Sequence, residues 1–149
     1  MLATMEQTLA LLDRLHARDT RQASTSRQQS GEIGERAAYF HIRRQGYTVV
    51  ARRWRHAFLD GEVDLIAWDA ETLCIVEVKT RAASTPFAAE FQVDTSKQQA
   101  LHRMAKAYLQ QLPWPDRHPG PLALRFDVVS VYLPLKGKPD VRLLRDAFR

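Results

Sequence analysis

Apolar positions are frequent over residues 1–18, all but absent over 19–30, and fall into clear periods after them. Leu2, Leu9, Leu12 and Leu15 recur at roughly helical spacing, which predicts either a short amphipathic helix over 4–18 or a frayed extension. Residues 19–30 (DTRQASTSRQQS) hold one small apolar residue, Ala23. That stretch cannot bury enough surface to offset its chain entropy, so a flexible linker is expected. From Gly31, the apolar residues Ile33, Ala37, Ala38, Phe40 and Ile42 form a helical stripe that Gly46 should end. Tyr47 to Val50 with Trp54 predict a first, bent strand. Glu62 to Trp68 and Thr72 to Lys79 are dense in β-branched and aromatic residues, and the short link Asp69-Ala70-Glu71 makes them an antiparallel hairpin.

A looser segment, 81–93, contains Pro86. After it Leu101, Met104, Ala105, Tyr108, Leu109 and Leu112 fall on one helical face. Thr95 with Gln98 is a capping box for that helix, with Asp94 as the alternative cap, and Pro113 and Pro115 end it. Leu124 to Leu133 reads as a further strand and Val141 to Leu144 as a last edge strand. The order α-β-β-β-α-β predicts an α/β sandwich with helices flanking a mixed central sheet. The organisation expected is an extension over 1–30 followed by one domain over 31–149.

Composition narrows the function classes. The chain has 149 residues, 45% of them hydrophobic, enough for one real core. A net charge of +5 favours a polyanionic partner, although excess lysine and arginine also serve simply to keep a surface solvated. Cys74 is the only cysteine and lies in an apolar run, so a buried, inert thiol and a reducing cytoplasm are expected. No stretch reaches the ~18 apolar residues of a membrane span. The five histidines are scattered, with no partner at zinc spacing.

The chemistry sits in the central hairpin. Asp64 interrupts one apolar strand, and Glu77 and Lys79 interrupt the next. Alternation places Glu77 and Lys79 on one face, opposite Val76 and Val78, and Glu62 shares a face with Asp64. A tight hairpin brings Asp64 close to Glu77. Charges inside apolar strands are costly unless paired or metal-bound. Asp64, Glu77 and the carbonyl of Val78 would suit Mg2+, with Mn2+ as a substitute, and Lys79 would orient a water or neutralise a phosphate. The competing account is a cross-strand salt bridge on a solvated face.

The runs G31-E-I-G-E-R-A-A-Y-F, R43-R-Q-G-Y, G61-E-V-D-L-I-A, V76-E-V-K-T-R, K97-Q and R125-F-D-V-V resemble the YraN-like family of uncharacterised bacterial proteins. That family looks like a branch of the restriction-endonuclease-like PD-(D/E)xK nuclease superfamily, akin to archaeal Holliday-junction resolvases. The resemblance spans about residues 31–133. It implies a restriction-endonuclease-like αβββαβ core, Asp64 and Glu77 as metal ligands, Lys79 as the motif lysine, and Glu35 as an acid that completes the site. Three features depart from the pattern: the stretch Trp54 to Asp60, Phe87-Ala88 where Phe-Gly is common, and the N-terminal extension.

Other residues keep two readings. Glu35 would equally complement the dipole of a first helical turn. Glu62 is either a salt-bridge partner or a ligand. Lys97, on the inner face of the second helix, either binds a phosphate near the helix N-terminus or snorkels, with Gln98 as companion. Arg52, Arg53, Arg55, Arg81 and Arg103 would track a phosphate backbone. Trp54 and Phe58 either stack on unpaired bases or belong to the core. Asp127 is expected to pair with an arginine. The leading expectation is a magnesium-dependent endonuclease acting on branched, single-stranded or distorted DNA rather than RNA. A homodimer, or a protein partner engaged through residues 1–30, would complete it. The alternatives are a non-catalytic nucleic-acid-binding or partner-recruiting module and a basic scaffold without nucleic acid.

Overall fold

A computed structural model describes residues 26–84, 91–113 and 121–149. The chain divides into two compact units, Met1–Ile33 and Gly34–Arg149, and the second holds the whole sheet. Residues 26–44 are helical (α1). The linker expected over 19–30 is therefore corrected for 26–30. Arg27, Gln28 and Gln29 are good helix formers, and low hydrophobicity says nothing against a solvated helical turn. The helix expected over 4–18 and the Phe87-Ala88 departure lie outside the described residues.

Five strands form one sheet in the order β1-β2-β3-β4-β5. They are β1 (Thr48–His56), β2 (Leu59–Asp69), β3 (Thr72–Ala82), β4 (Ala123–Leu133) and β5 (Asp140–Phe148), with α2 (Thr95–Gln111) between β3 and β4. Pairing is antiparallel except for β3 with β4, so the sheet is mixed, as the α-β-β-β-α-β order requires. Ala70 and Glu71 form the turn between β2 and β3, with Asp69 opposite Thr72. Ala70 adopts φ +51, the left-handed conformation that short hairpin turns demand. β5 outruns its expected end at Leu144. A bulge at Asp146 (φ +52) breaks the alternation there and hands the strand's inner face to Ala147 and Phe148.

Among the described residues, each face of the sheet carries one helix. Ala38 and Ile42 of α1 pack on Leu65, Ala67, Cys74, Val76, Val129 and Val131. Leu101, Met104 and Ala105 of α2 pack on Val63, Ile66, Leu73, Ile75, Phe126 and Val128. Cys74 is buried, and burial pushes its thiol up to about 12. The cap of α2 is Asp94, whose side chain accepts from the amide of Lys97; Gln98 instead donates to the carbonyl of Val93. Asp94 wins because a carboxylate at the cap also meets the positive end of the helix dipole. Gly34 lets α1 approach β3: a Cβ on it would lie far inside van der Waals contact with Thr80 Oγ1. Among the described residues no helix is long and apolar enough to cross a membrane.

At one end of the sheet a polar clamp is buried. Asp127 of β4 is fully buried and accepts from Tyr47 Oη (2.8 Å), Arg125 Nε (2.8 Å) and the amide of Asp146 (3.0 Å). Arg125 also donates to Asp69 (2.7 Å) and to Tyr47 Oη (2.8 Å). Burial, then the bond to Asp127, pushes the Tyr47 phenol above its usual range. The pairing of Asp127 with an arginine is thus observed, and it ties β1, β2, β4 and β5 together.

Candidate functional site

The other end of the sheet opens. The β3–β4 ladder runs on to Ala82 opposite Leu133, whereas β2–β3 pairing reaches only Leu65 opposite Val76. Beyond that rung β2 parts from β3 and twists: Leu65 belongs to the α1 side of the core, and Val63, two residues earlier, to the α2 side. Asp64 stands at the twist. Its Oδ2 accepts from the amide of Val78 at 2.7 Å, so a side chain replaces the backbone acceptor that a continued ladder would have supplied. Val78 joins the site through this amide, and its side chain packs toward α1.

Three carboxylates converge there. Glu35 from α1 and Glu62 and Asp64 from β2 each bring an oxygen to within 4.8 Å of the other two. The close approach at Gly34 is what sets Glu35, the next residue, over the edge of the sheet. Burial, reinforced by Glu77, pushes the Asp64 carboxyl up to about 7. Glu35 and Glu62 each have an arginine from β1: Arg53 Nε lies 2.6 Å from Glu35 and Arg55 Nη2 2.7 Å from Glu62. Arg53 reaches across from a left-handed backbone (φ +47).

Glu77 and Lys79 do share a face of β3, the one facing α2, in line with Leu73 and Ile75. Glu77 lies outside the group of three and pairs with Lys97, Oε2 to Nζ 3.2 Å. That oxygen is buried and, beyond this ion pair, accepts no hydrogen bond. Lys79 donates to the carbonyl of Gln92, just before α2, and burial followed by the nearby Arg81 lowers its pKa. Lys97 therefore reaches the sheet from the first turn of α2, whereas Gln98 turns back to the loop before the helix. Arg103 is exposed on α2. Of the two aromatics, Trp54 packs against the core and edge-on to Tyr108, and Phe58 is 91% exposed.

Glu62 is the member of the acidic group that the metal set drawn from the sequence leaves out. Its signal was the i, i+2 spacing to Asp64 on one strand, which a salt bridge explains equally well until a third carboxylate arrives from α1. The donor set suits a hard divalent cation. It offers carboxylate oxygens only, one of them on a group whose ionisation burial opposes, with a further buried oxygen of Glu77 left without a hydrogen bond.

Comparison with known proteins adds a family. The model described as "Uncharacterised protein family UPF0102" matches residues 34–131. A UPF0102 protein of Koribacter versatilis is 41% identical over 119 residues, 80% of this chain and 78% of its own. One from Solibacter usitatus is 40% identical over 120 residues, covering 79% and 84% of the two chains. Another, from Symbiobacterium thermophilum, is 41% identical over 118 residues, covering 79% and 94%.

Proposed function

The chain belongs to the uncharacterised protein family UPF0102, and on that premise we propose that it is a metal-dependent endonuclease of the PD-(D/E)xK type that hydrolyses phosphodiester bonds in branched, single-stranded or distorted DNA. The observation that carries this reading is the convergence of Glu35, Glu62 and Asp64 where β2 leaves β3. Arg53 and Arg55 offset Glu35 and Glu62, whereas Asp64 is held by the Val78 amide, and a cation at the cluster would offset its charge. Mg2+, or Mn2+ in its place, fits these oxygens, with Glu77 as the next donor along the sheet. When bound, such an ion lowers the pKa of a water ligand and offsets charge on a phosphodiester in transition.

The protein's own groups divide the remaining work. Asp64 is fixed by the Val78 amide, so its free oxygen keeps a constant direction. Lys79 is fixed by the Gln92 carbonyl and presents a compact positive charge beside Glu77, suited to orienting an attacking water. Lys97, at the start of α2, can exchange Glu77 for a phosphate, with the helix N-terminus favouring the same anion. Arg53 and Arg55 hold the site acids and, together with Arg81, supply the cationic border that a DNA backbone needs. A basic chain with no groove-reading motif fits recognition of shape and backbone rather than base sequence.

The test is cleavage of labelled single strands, duplexes, flaps and four-way junctions, in DNA and RNA, with Mg2+ or Mn2+. Wild type should give metal-dependent products, and Asp64→Asn and Lys79→Ala should each lose at least about 100-fold in rate. Substrates that all survive, or variants that cut as well as wild type, would end the catalytic reading.

A further inference from the structure

Phe58 occupies the two-residue tip, Ala57-Phe58, of the hairpin that joins β1 to β2. A lone exposed apolar residue is ordinary on a protein surface. This one differs in how it is held. Its amide donates to Nδ1 of His56 at 3.2 Å, and its ring lies 5.9 Å from the His56 ring. The His56 ring is 6.1 Å from Trp54, which stands 5.2 Å edge-on to Tyr108 of α2. A file of aromatic rings thus runs from the core to the tip and ends on the open Phe58 ring. Cations flank it: Arg52, Arg53 and Arg55 lie on the same strand, and the Arg55 side chain is largely exposed although it pairs with Glu62.

The hairpin also sets a distance. Phe58 precedes Glu62 by four residues and Asp64 by six along β2. At ~3.3 Å per strand residue this is ~13–20 Å, or ~4–6 nucleotide steps of ~3.4 Å.

We propose that this hairpin tip is a base-stacking wedge. Phe58 takes the face of an unpaired nucleobase at a boundary between duplex and single strand, and the acidic cluster meets the backbone a fixed few nucleotides away. The spacing rests on the phosphodiester reading given above; the stacking does not. It makes the substrate a forked or branched nucleic acid rather than continuous duplex, because a base inside a duplex has both faces covered by its stacked neighbours.

The experiment uses the full chain, without divalent metal, and DNA carrying 2-aminopurine at the first unpaired position of a fork or at the matching position of a blunt duplex. Wild type should change the fluorescence of the fork and bind it more tightly than the duplex. Phe58→Ala should bind the fork about 5- to 150-fold more weakly, matching ~1–3 kcal/mol per stacked base, while Phe58→Trp should restore the binding. Thermal melting checks that both variants fold. Fork binding that ignores Phe58→Ala, or a loss equal for fork and blunt duplex, overturns the proposal and leaves Phe58 to a protein contact. Cleavage of the same DNA with Mn2+ is scored separately. Absence of products counts against the phosphodiester reading, whereas the metal-free fluorescence and binding of the fork decide the wedge.

Discussion

Asp64 receives one hydrogen bond, from the Val78 amide, while burial and the carboxylates of Glu77 and Glu35 all oppose its ionisation. The direction of the pH dependence follows. Its folded-state pKa, about 7, lies above the ~3.9 of an unfolded Asp, so the native state holds the proton more tightly. The cost of keeping Asp64 charged therefore builds between about pH 4 and pH 7 and stays constant above that. Without metal, Asp64→Asn should be more stable than wild type at pH 8, and this gap should vanish near pH 4; urea unfolding at the two pH values measures it. A divalent ion must displace the same proton. Mn2+ binding, followed by calorimetry, should weaken about tenfold per pH unit as pH falls below 7 and level off above. Affinity that is flat from pH 5 to 8 would remove Asp64 from the ligand set.

Among the elements, the docking of α1 has the narrowest tolerance. Alanine in place of Gly34 would gain ~1 kcal/mol of helix propensity, but its methyl would collide with Thr80, and overpacking of this kind costs ~1–3 kcal/mol. The collision should win: Gly34→Ala should lower the urea midpoint, and adding Thr80→Ala should recover part of the loss. A midpoint at or above wild type would show that α1 moves freely. The elements themselves were largely legible, because the inward residues of β3, β4, α2 and the second half of β2 keep unbroken periods of two or 3.6. What escaped were features in which a period breaks. β1 and β5 carry bulges that exchange their inner faces, and residues 26–30 extend α1 with no apolar residue to announce it. Asp64, Glu77 and Lys79 stood out as charges within apolar runs. That Glu77 falls outside the group formed by Asp64, Glu35 and Glu62 did not, since it depends on how far β2 twists after its last rung with β3.

Across the whole molecule the sheet has a closed end and an open one. At the closed end Asp127 is satisfied by Tyr47, Arg125 and Asp146, and removing it would leave the Tyr47 hydroxyl and the Asp146 amide without this acceptor while Arg125 keeps Asp69. Asp127→Ala should cost ~1–3 kcal/mol in chemical unfolding. A loss below about 0.5 kcal/mol would mean that the clamp contributes little. At the open end Asp64 serves as a rung between β2 and β3, and a rung needs only an oxygen. Asparagine supplies one, and the codons for Asp and Asn differ by a single base. The charge at position 64 can thus be lost by drift without any penalty from the fold, leaving a descendant that folds, packs and resists proteolysis as its ancestor did. On the function proposed for this site, intactness of the sheet in a relative is no record of what that relative can still do, whereas the residue at position 64 is.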